Sequence, residues 1–162
     1  MIRYRVKEGK GVEIRKLRGH HLLCVHGFQG MGYSPSFIAK MQEIVEQVRD
    51  PECDIWLEVT IGFDEACSAC PHRGEAKCEA DEDSDLSVKR MDANVIRHLE
   101  LEPEGTYRKE WLVRRTARMV EPDDLDTLCA DCSWLAEGVC KEGIRSLREA
   151  HGITGETKAD RA

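Results

Sequence analysis

The stretch SPSFIAKMQEIVEQVRDPECDIWLEVTIGF, residues 34–63, decides the fold class because a helix pattern is followed directly by a strand pattern. Ser34 and Pro35 suit the N-cap and the first position of a helix. Apolar residues then recur at helical spacing as far as Val48. Over residues 55–63 apolar and mostly polar residues alternate, which is typical of a strand with one buried face. This succession favours an α+β protein.

Working outward, the rest of the chain predicts a small, mainly antiparallel sheet packed with about four helices. Residues 2–7 and 12–17 alternate apolar and charged residues around a glycine-containing turn, which indicates either a short hairpin or a frayed N-terminal extension. Apolar residues recur at helical spacing over 88–99 and over 107–120. A shorter helical piece is expected to start at Pro122, and a last helix is expected to end at Gly152.

The length of 162 residues fits one domain. We expect an N-terminal extension at 1–13, a single metal-binding α+β domain at 14–152 and a flexible tail at 153–162.

The formal net charge of −7 argues against a nucleic-acid partner, and no apolar run approaches the roughly 18 residues of a membrane span. Because the N-terminus also lacks an apolar signal core, the chain is expected in the cytoplasm, where thiols stay reduced.

Cysteine usage is the strongest functional signal, because the pattern C-x2-C-x7-C occurs twice and uses six of the eight cysteines. The first cysteine phrase comprises Cys67, Cys70 and Cys78, and the second comprises Cys129, Cys132 and Cys140. Two thiolates at CxxC spacing can bind a metal ion or an iron–sulfur cluster from one turn of the chain, and a short loop can supply the third thiolate. The spacing favours two separate centres, and one four-cysteine site built from both CxxC pairs is the alternative.

Each phrase needs a fourth ligand, for which Cys24, Cys53 and the histidines are the remaining candidates. If the stretch around Cys24 is helical, His20 and His21 share its face. They can then act as ligands, as hydrogen-bonding groups around the site, or as the base for a thiolate nucleophile. His72, inside the first phrase, is a candidate ligand or hydrogen-bonding neighbour. Cys53 follows a turn without a sequence partner, and an incidental role is favoured for it.

Ligand type alone does not separate zinc from an iron–sulfur cluster. Two features favour a cluster, expected as 4Fe–4S in one or two copies. Pro71 directly follows Cys70, as in many ferredoxin sequences, and the distant Cys24 could complete the ligand set of the second phrase.

The preferred function is therefore iron–sulfur binding with an electron-transfer or redox-sensing role towards an unidentified redox or protein partner. A structural zinc module for partner interaction is one alternative. A metalloenzyme with an open site near Cys24, His20 and His21 is another, so the sequence does not decide whether the protein is an enzyme.

Five motifs follow one another in a characteristic order. They are RGHHLLC at 18–24, GYSP at 32–35, CSACP at 67–71, CADCSW at 129–134 and CKEG at 140–143. Together they resemble a bacterial and archaeal family of small proteins of unknown function, whose members are commonly suggested to bind iron–sulfur clusters. The resemblance spans roughly residues 14–150. It implies cysteine-ligated metal at Cys24, Cys67, Cys70, Cys78, Cys129, Cys132 and Cys140, whereas Cys53 and the N-terminal extension lie outside the pattern.

Overall fold

The computed structural model describes residues 13–30, 32, 34–75, 78–79, 84–130, 132 and 134–153. Six α-helices and one three-stranded sheet occur in these residues, which confirms the α+β class. The strands are β1 (Ile14–Arg18), β2 (Trp56–Thr60) and β3 (Thr106–Arg108). The helices are α1 (His21–Gly27), α2 (Pro35–Arg49), α3 (Ser84–His98), α4 (Lys109–Met119), α5 (Leu125–Leu128) and α6 (Val139–Ala150).

The four longer helices, α2, α3, α4 and α6, correspond to the expected helices. A 3₁₀ turn at Pro122–Asp124 followed by α5 corresponds to the shorter helical piece expected from Pro122, and the short α1 is additional. Most of the expected N-terminal extension and of the C-terminal tail lies outside the described residues, as does the first half of the expected hairpin at 2–7. Within the described part of the chain, no helix combines the length and the apolar character needed to cross a membrane.

The sheet has the order β1-β2-β3 and is mixed rather than mainly antiparallel. β1 pairs with β2 in parallel, with Leu17 opposite Val59, whereas β2 and β3 are antiparallel, with Leu57 opposite Tyr107. All four side chains are buried. Parallel neighbours need a long crossover connection, and here α1 and α2 provide it between β1 and β2. The sequence pattern predicts that a strand forms but does not reveal the direction of its neighbour.

Helix α2 confirms its sequence prediction closely. The Ser34 hydroxyl oxygen accepts a hydrogen bond from the backbone N–H of Phe37 at 3.1 Å, and Pro35 occupies the first turn. The residues at helical spacing form the buried face against the core. They are Phe37, Met41, Ile44, Val45 and Val48.

Two element boundaries differ from the sequence prediction. β2 ends at Thr60, before the predicted end of the strand, because Ile61 is exposed and Gly62 turns the chain with a φ of 109°. The helix predicted from residue 107 begins at Lys109 instead, because Tyr107 belongs to β3 and pairs with β2. Pairing with a neighbouring strand is a tertiary effect that helical periodicity does not report.

Helices α1 and α6 pack unusually closely, and two glycines allow it. A Cβ atom added to Gly143 would lie 2.1 Å from the carbonyl oxygen of His26, and one added to Gly27 would lie 2.5 Å from the Cα of Cys140. Neither contact is sterically allowed, so the two backbones can cross at this distance only without side chains. The crossing places the C-terminal end of α1, at His26 and Gly27, beside the first turns of α6.

A Gly143→Ala variant should therefore be destabilised by about 1–3 kcal/mol, the typical cost of overpacking. Helix propensity alone would act in the opposite direction, favouring alanine by up to about 1 kcal/mol. Urea unfolding monitored by circular dichroism measures the difference. Ser146→Ala, at an exposed position of the same helix, is the control and should change stability by less than about 0.5 kcal/mol. A Gly143→Ala variant as stable as the parent would contradict the close crossing.

Candidate metal centre and a buried histidine network

The crossing of α1 and α6 brings Cys24 to the second cysteine phrase. Cys24 is buried in α1, and Cys140 is buried in the first turn of α6. Cys129 follows the last residue of α5, and the backbone N–H of Cys132 donates to its carbonyl oxygen at 2.9 Å, which closes the CxxC turn. The fold thus gathers one cysteine from the first part of the chain and three from the last.

The thiols of Cys24 and Cys140 interact directly. A hydrogen bond with Cys140 raises the pKa of Cys24 well above its ordinary value, and burial and negative charge at Cys140, Cys132 and Cys129 act in the same direction. The same hydrogen bond lowers the pKa of Cys140. Cys140 is therefore the first of the pair to lose its proton, while Cys24 keeps its proton and donates it.

The other two thiols of this group lie in apolar surroundings. Burial raises the pKa of Cys129 to about 12, with the charges of Cys132 and Cys140 adding to the effect, and burial also raises the pKa of Cys132. Trp134 lies two residues beyond Cys132, and its ring centroid is 6.5 Å from that of Phe28 and 6.2 Å from that of Phe37. These contacts make Trp134 a packing residue of the core.

Across the described residues, no three or more Cys, His, Asp or Glu side chains form a group that could hold a metal ion as the side chains stand. No disulfide joins any of the eight cysteines, all of which belong to the described part of the chain. Without a metal ion or a disulfide, the thiols of the second phrase and Cys24 form a buried group of protonated or partly protonated sulfurs.

The first cysteine phrase lies in the loop after β2. Cys67 begins a 3₁₀ turn, the backbone N–H of Cys70 donates to its carbonyl oxygen at 3.0 Å, and Cys78 returns through a bridge with Arg73. Burial raises the pKa of Cys70, and the charge of Cys78 acts in the same direction, so their sulfurs lie within electrostatic reach. Cys67 instead contacts a guanidinium nitrogen of Arg18 at 3.3 Å.

The two remaining candidates are Cys53, in the turn after α2, and His72, inside the first phrase. Cys53 is half-buried in the turn after α2, where its backbone N–H donates to Asp50, and its side chain packs against the core. His72 is half-buried in the first-phrase loop, and its carbonyl oxygen accepts from the backbone N–H of Glu79 at 2.8 Å. Neither placement assigns the residue a ligand role.

The two histidines at the start of α1 are each bound to a buried carboxylate. The Nδ1 atom of His20 is 2.7 Å from an oxygen of Asp92, and the Nδ1 atom of His21 is 2.6 Å from an oxygen of Asp64. Both aspartate side chains are 0% exposed. Because a carboxylate can only accept, each Nδ1 carries a proton.

The two carboxylates are held in place by further donors. Asp92 accepts from the backbone N–H groups of His20 and Gly62, both at 3.1 Å, and Asp64 accepts from those of Arg18 at 2.8 Å and Cys67 at 3.1 Å. These bonds join β1, the loop after β2 and α3 in one network. A Cβ atom on Gly19 would lie 2.3 Å from the Asp92 carbonyl oxygen, so glycine is required for this approach.

Arg18 supplies the balancing positive charge to this network. Its guanidinium group is buried and bonds to both oxygens of Asp92, with one nitrogen at 2.8 Å. Burial would raise the pKa of Asp92, but His20 and Arg18 lower it below its ordinary value. Burial also opposes the ionisation of Asp64, yet His21 and two backbone N–H groups hold the pKa of this carboxyl well below its usual range. Both aspartates are therefore ionised.

Burial is the largest influence on the pKa values of His20 and Cys67. It lowers the pKa of His20 to about 4, and the charge of His21 acts in the same direction. It raises the pKa of Cys67 to about 12, with the Asp64 charge adding to the effect and Arg18 opposing it. His20 is thus a neutral imidazole at neutral pH, and Cys67 is a thiol.

Sequence reasoning did not identify Arg18, Asp64 or Asp92 as site residues. One signal for Asp92 was available, because it falls on the apolar stripe of α3 between Met91 and Val95, where an unpaired charge would be costly. Asp64 and Arg18 carry no such signal, since only the fold shows that they meet.

Fold and site together define a small α+β protein with two cysteine-rich loops and a buried histidine–aspartate network. The chain belongs to the family described as "Protein of unknown function (DUF1284)", whose model matches residues 32–138. The match includes both CxxC pairs, starts after Cys24 and ends before Cys140. The expectation of a family of unknown function is confirmed. No curated protein and no solved structure matches the chain.

Proposed function

We propose that the protein binds an iron–sulfur cluster through Cys24 and the second cysteine phrase and that it transfers electrons or senses redox state. The observation that carries the proposal is the crossing of α1 and α6, because it brings Cys24 next to Cys140 and so links the distant cysteine to the C-terminal three. Four cysteine thiolates are the usual ligand set of 2Fe–2S and 4Fe–4S clusters. The donor set therefore fits the group.

Binding requires a local change at the thiols. Since they do not yet form a metal-binding group, each must lose its proton and turn about its side-chain bonds towards a common point. The positive charge of the metal lowers the thiol pKa values, which burial raises in its absence. The apolar surface of Trp134, Phe28 and Phe37 would then limit solvent access, one of the factors that set a cluster's potential.

A second cluster or metal ion at the first phrase is part of the proposal. Cys67, Cys70 and Cys78 provide three thiolates, and the N–H of Arg18 beside Cys67 would stabilise negative charge on that sulfur. The acidic net charge and the reduced thiols suit a cytoplasmic protein with a redox or protein partner and no nucleic acid.

Composition analysis of anaerobically purified protein tests the proposal. We expect a brown protein with iron and acid-labile sulfide in equal amounts and with broad visible absorption that reducing agents bleach. Iron near four atoms per chain would indicate one 4Fe–4S cluster, and about twice that amount would indicate two. A colourless protein that contains neither iron nor zinc would contradict metal binding altogether.

Structural zinc is the second candidate, and the crossing of α1 and α6 favours it independently. A tetrahedral ion held by Cys24 and the second phrase would tie the first helix to the last. In that case the purified protein is colourless, contains zinc, and survives exposure to air. The zinc form would serve partner binding rather than redox chemistry.

Removal of the metal should lower thermal stability in either case, because metal-binding energy contributes to folding energy. We expect a strong chelator to lower the melting temperature by several degrees at least, with loss of helical signal from α1 and α6. Calorimetry with and without chelator measures the shift. A melting temperature unchanged by complete metal removal would show that the thiol group folds without a metal.

A further inference from the structure

Each of the two histidines at the start of α1 uses only one ring nitrogen in the described structure. Nδ1 of His20 and Nδ1 of His21 donate to Asp92 and Asp64, and among the described residues neither Nε2 atom has a hydrogen-bond partner. Each side chain is 9% exposed, so the rings are nine-tenths buried yet still reach solvent. In its neutral, Nδ1-protonated form an imidazole carries its lone pair on Nε2, where it can bind a metal ion.

The two rings are adjacent and fixed in orientation. Their centroids are 4.4 Å apart, and their planes are inclined by 59°. Neither ring can turn without breaking a short bond to a carboxylate that other donors already hold in place. Pairs of this kind, histidine backed by a carboxylate, are the usual supports of metal-binding imidazoles, because the carboxylate fixes the tautomer and raises ligand basicity.

We propose that the Nε2 atoms of His20 and His21 bind a divalent transition-metal ion such as Zn²⁺, Fe²⁺, Co²⁺ or Ni²⁺. Imidazole suits metals of this class. The described residues provide two ligands, so water or a small substrate completes the coordination, and the site is open. This histidine site uses no cysteine sulfur as a ligand and does not depend on the proposed function.

Nitrogen NMR of the histidine rings in ¹⁵N-labelled full-length protein tests the proposal with Zn²⁺ as the probe. Before addition, we expect both rings as the Nδ1–H tautomer. One equivalent of Zn²⁺ should shift the Nε2 resonances of His20 and His21 but not that of His151, which is exposed at the end of α6. Since the signals are residue-specific, zinc taken up by thiols cannot mimic the result.

Variants then separate binding from folding. In His21→Asn and His20→Asn the amide nitrogen can replace Nδ1 as donor to the aspartate, while the Nε2 ligand is lost. We expect folded proteins that bind one Zn²⁺ fewer by calorimetric titration, and an unchanged stoichiometry in the control His151→Asn. Asp64→Asn should weaken zinc binding by about 10- to 100-fold.

Two outcomes would overturn the proposal even if every variant failed to fold, because both are read from the parent protein. One is that Zn²⁺ leaves the Nε2 resonances of His20 and His21 unchanged. The other is an Nε2 atom of His20 or His21 that still carries a proton in zinc-saturated protein, because a nitrogen whose lone pair binds a metal ion cannot also carry a proton.

Discussion

Cys24→Ser should remove the proposed metal centre of the second phrase and produce the largest functional loss of any single substitution. The reason is that Cys24 is the one proposed ligand of this centre that comes from α1, where it lies next to Cys140. We expect the iron, or the zinc, attributed to this centre to fall to background, with the corresponding loss of visible absorption. Metal analysis of protein prepared in parallel with the parent measures the effect.

Cys53→Ser is the matched control. Cys53 is half-buried and packs against the core, but it lies in the turn after α2 and belongs to neither phrase. Its metal content and spectrum should equal those of the parent. If Cys24→Ser retains full metal content, Cys24 is not a ligand. If Cys53→Ser loses metal as well, the assignment of the fourth ligand is wrong.

Asp92→Asn should cause the largest loss of stability, about 3–5 kcal/mol, which is the typical cost of breaking a buried ion pair. The substitution removes the negative charge that balances the buried Arg18 guanidinium. A neutral amide group then lies next to this guanidinium. Since domains are stable by only about 5–15 kcal/mol, this loss brings the protein close to unfolding at room temperature. Urea unfolding at neutral pH measures it.

An exposed ion pair provides the comparison. Asp54 lies 3.2 Å from Arg108, with its side chain 66% exposed. Asp54→Asn should therefore change the free energy of unfolding by less than about 1 kcal/mol. Similar losses in the two variants would contradict the structural role of the buried network. So would an Asp92→Asn protein as stable as the parent.

The sequence predicts those parts of the fold that depend on local patterns. α2 forms where the spacing and the Ser34 cap require it, and β2 forms within the predicted stretch. The direction of β1 relative to β2 and the pairing of Tyr107 depend on tertiary packing. The spacing of apolar residues along the sequence does not report on tertiary packing. Tyr107 shows this directly, since it begins an apolar helical pattern yet belongs to a strand.

For the site, the sequence reveals which residues carry ligand atoms but not which of them meet. The duplicated spacing singles out six cysteines, and helical spacing relates His20 and His21 to Cys24. The carboxylates that bind the two imidazoles come from a loop and from α3, far away along the chain. Charged residues are abundant in this sequence, so nothing distinguishes these aspartates until the backbone brings them to the start of α1.

The crossing of α1 and α6 has a consequence for the order of folding. It joins residues that lie far apart along the chain, Gly27 with Cys140 and His26 with Gly143, so a long loop must close before the contact forms. The crossing is therefore expected to form late in refolding, after α1 has packed against its sequence neighbours β1 and α2.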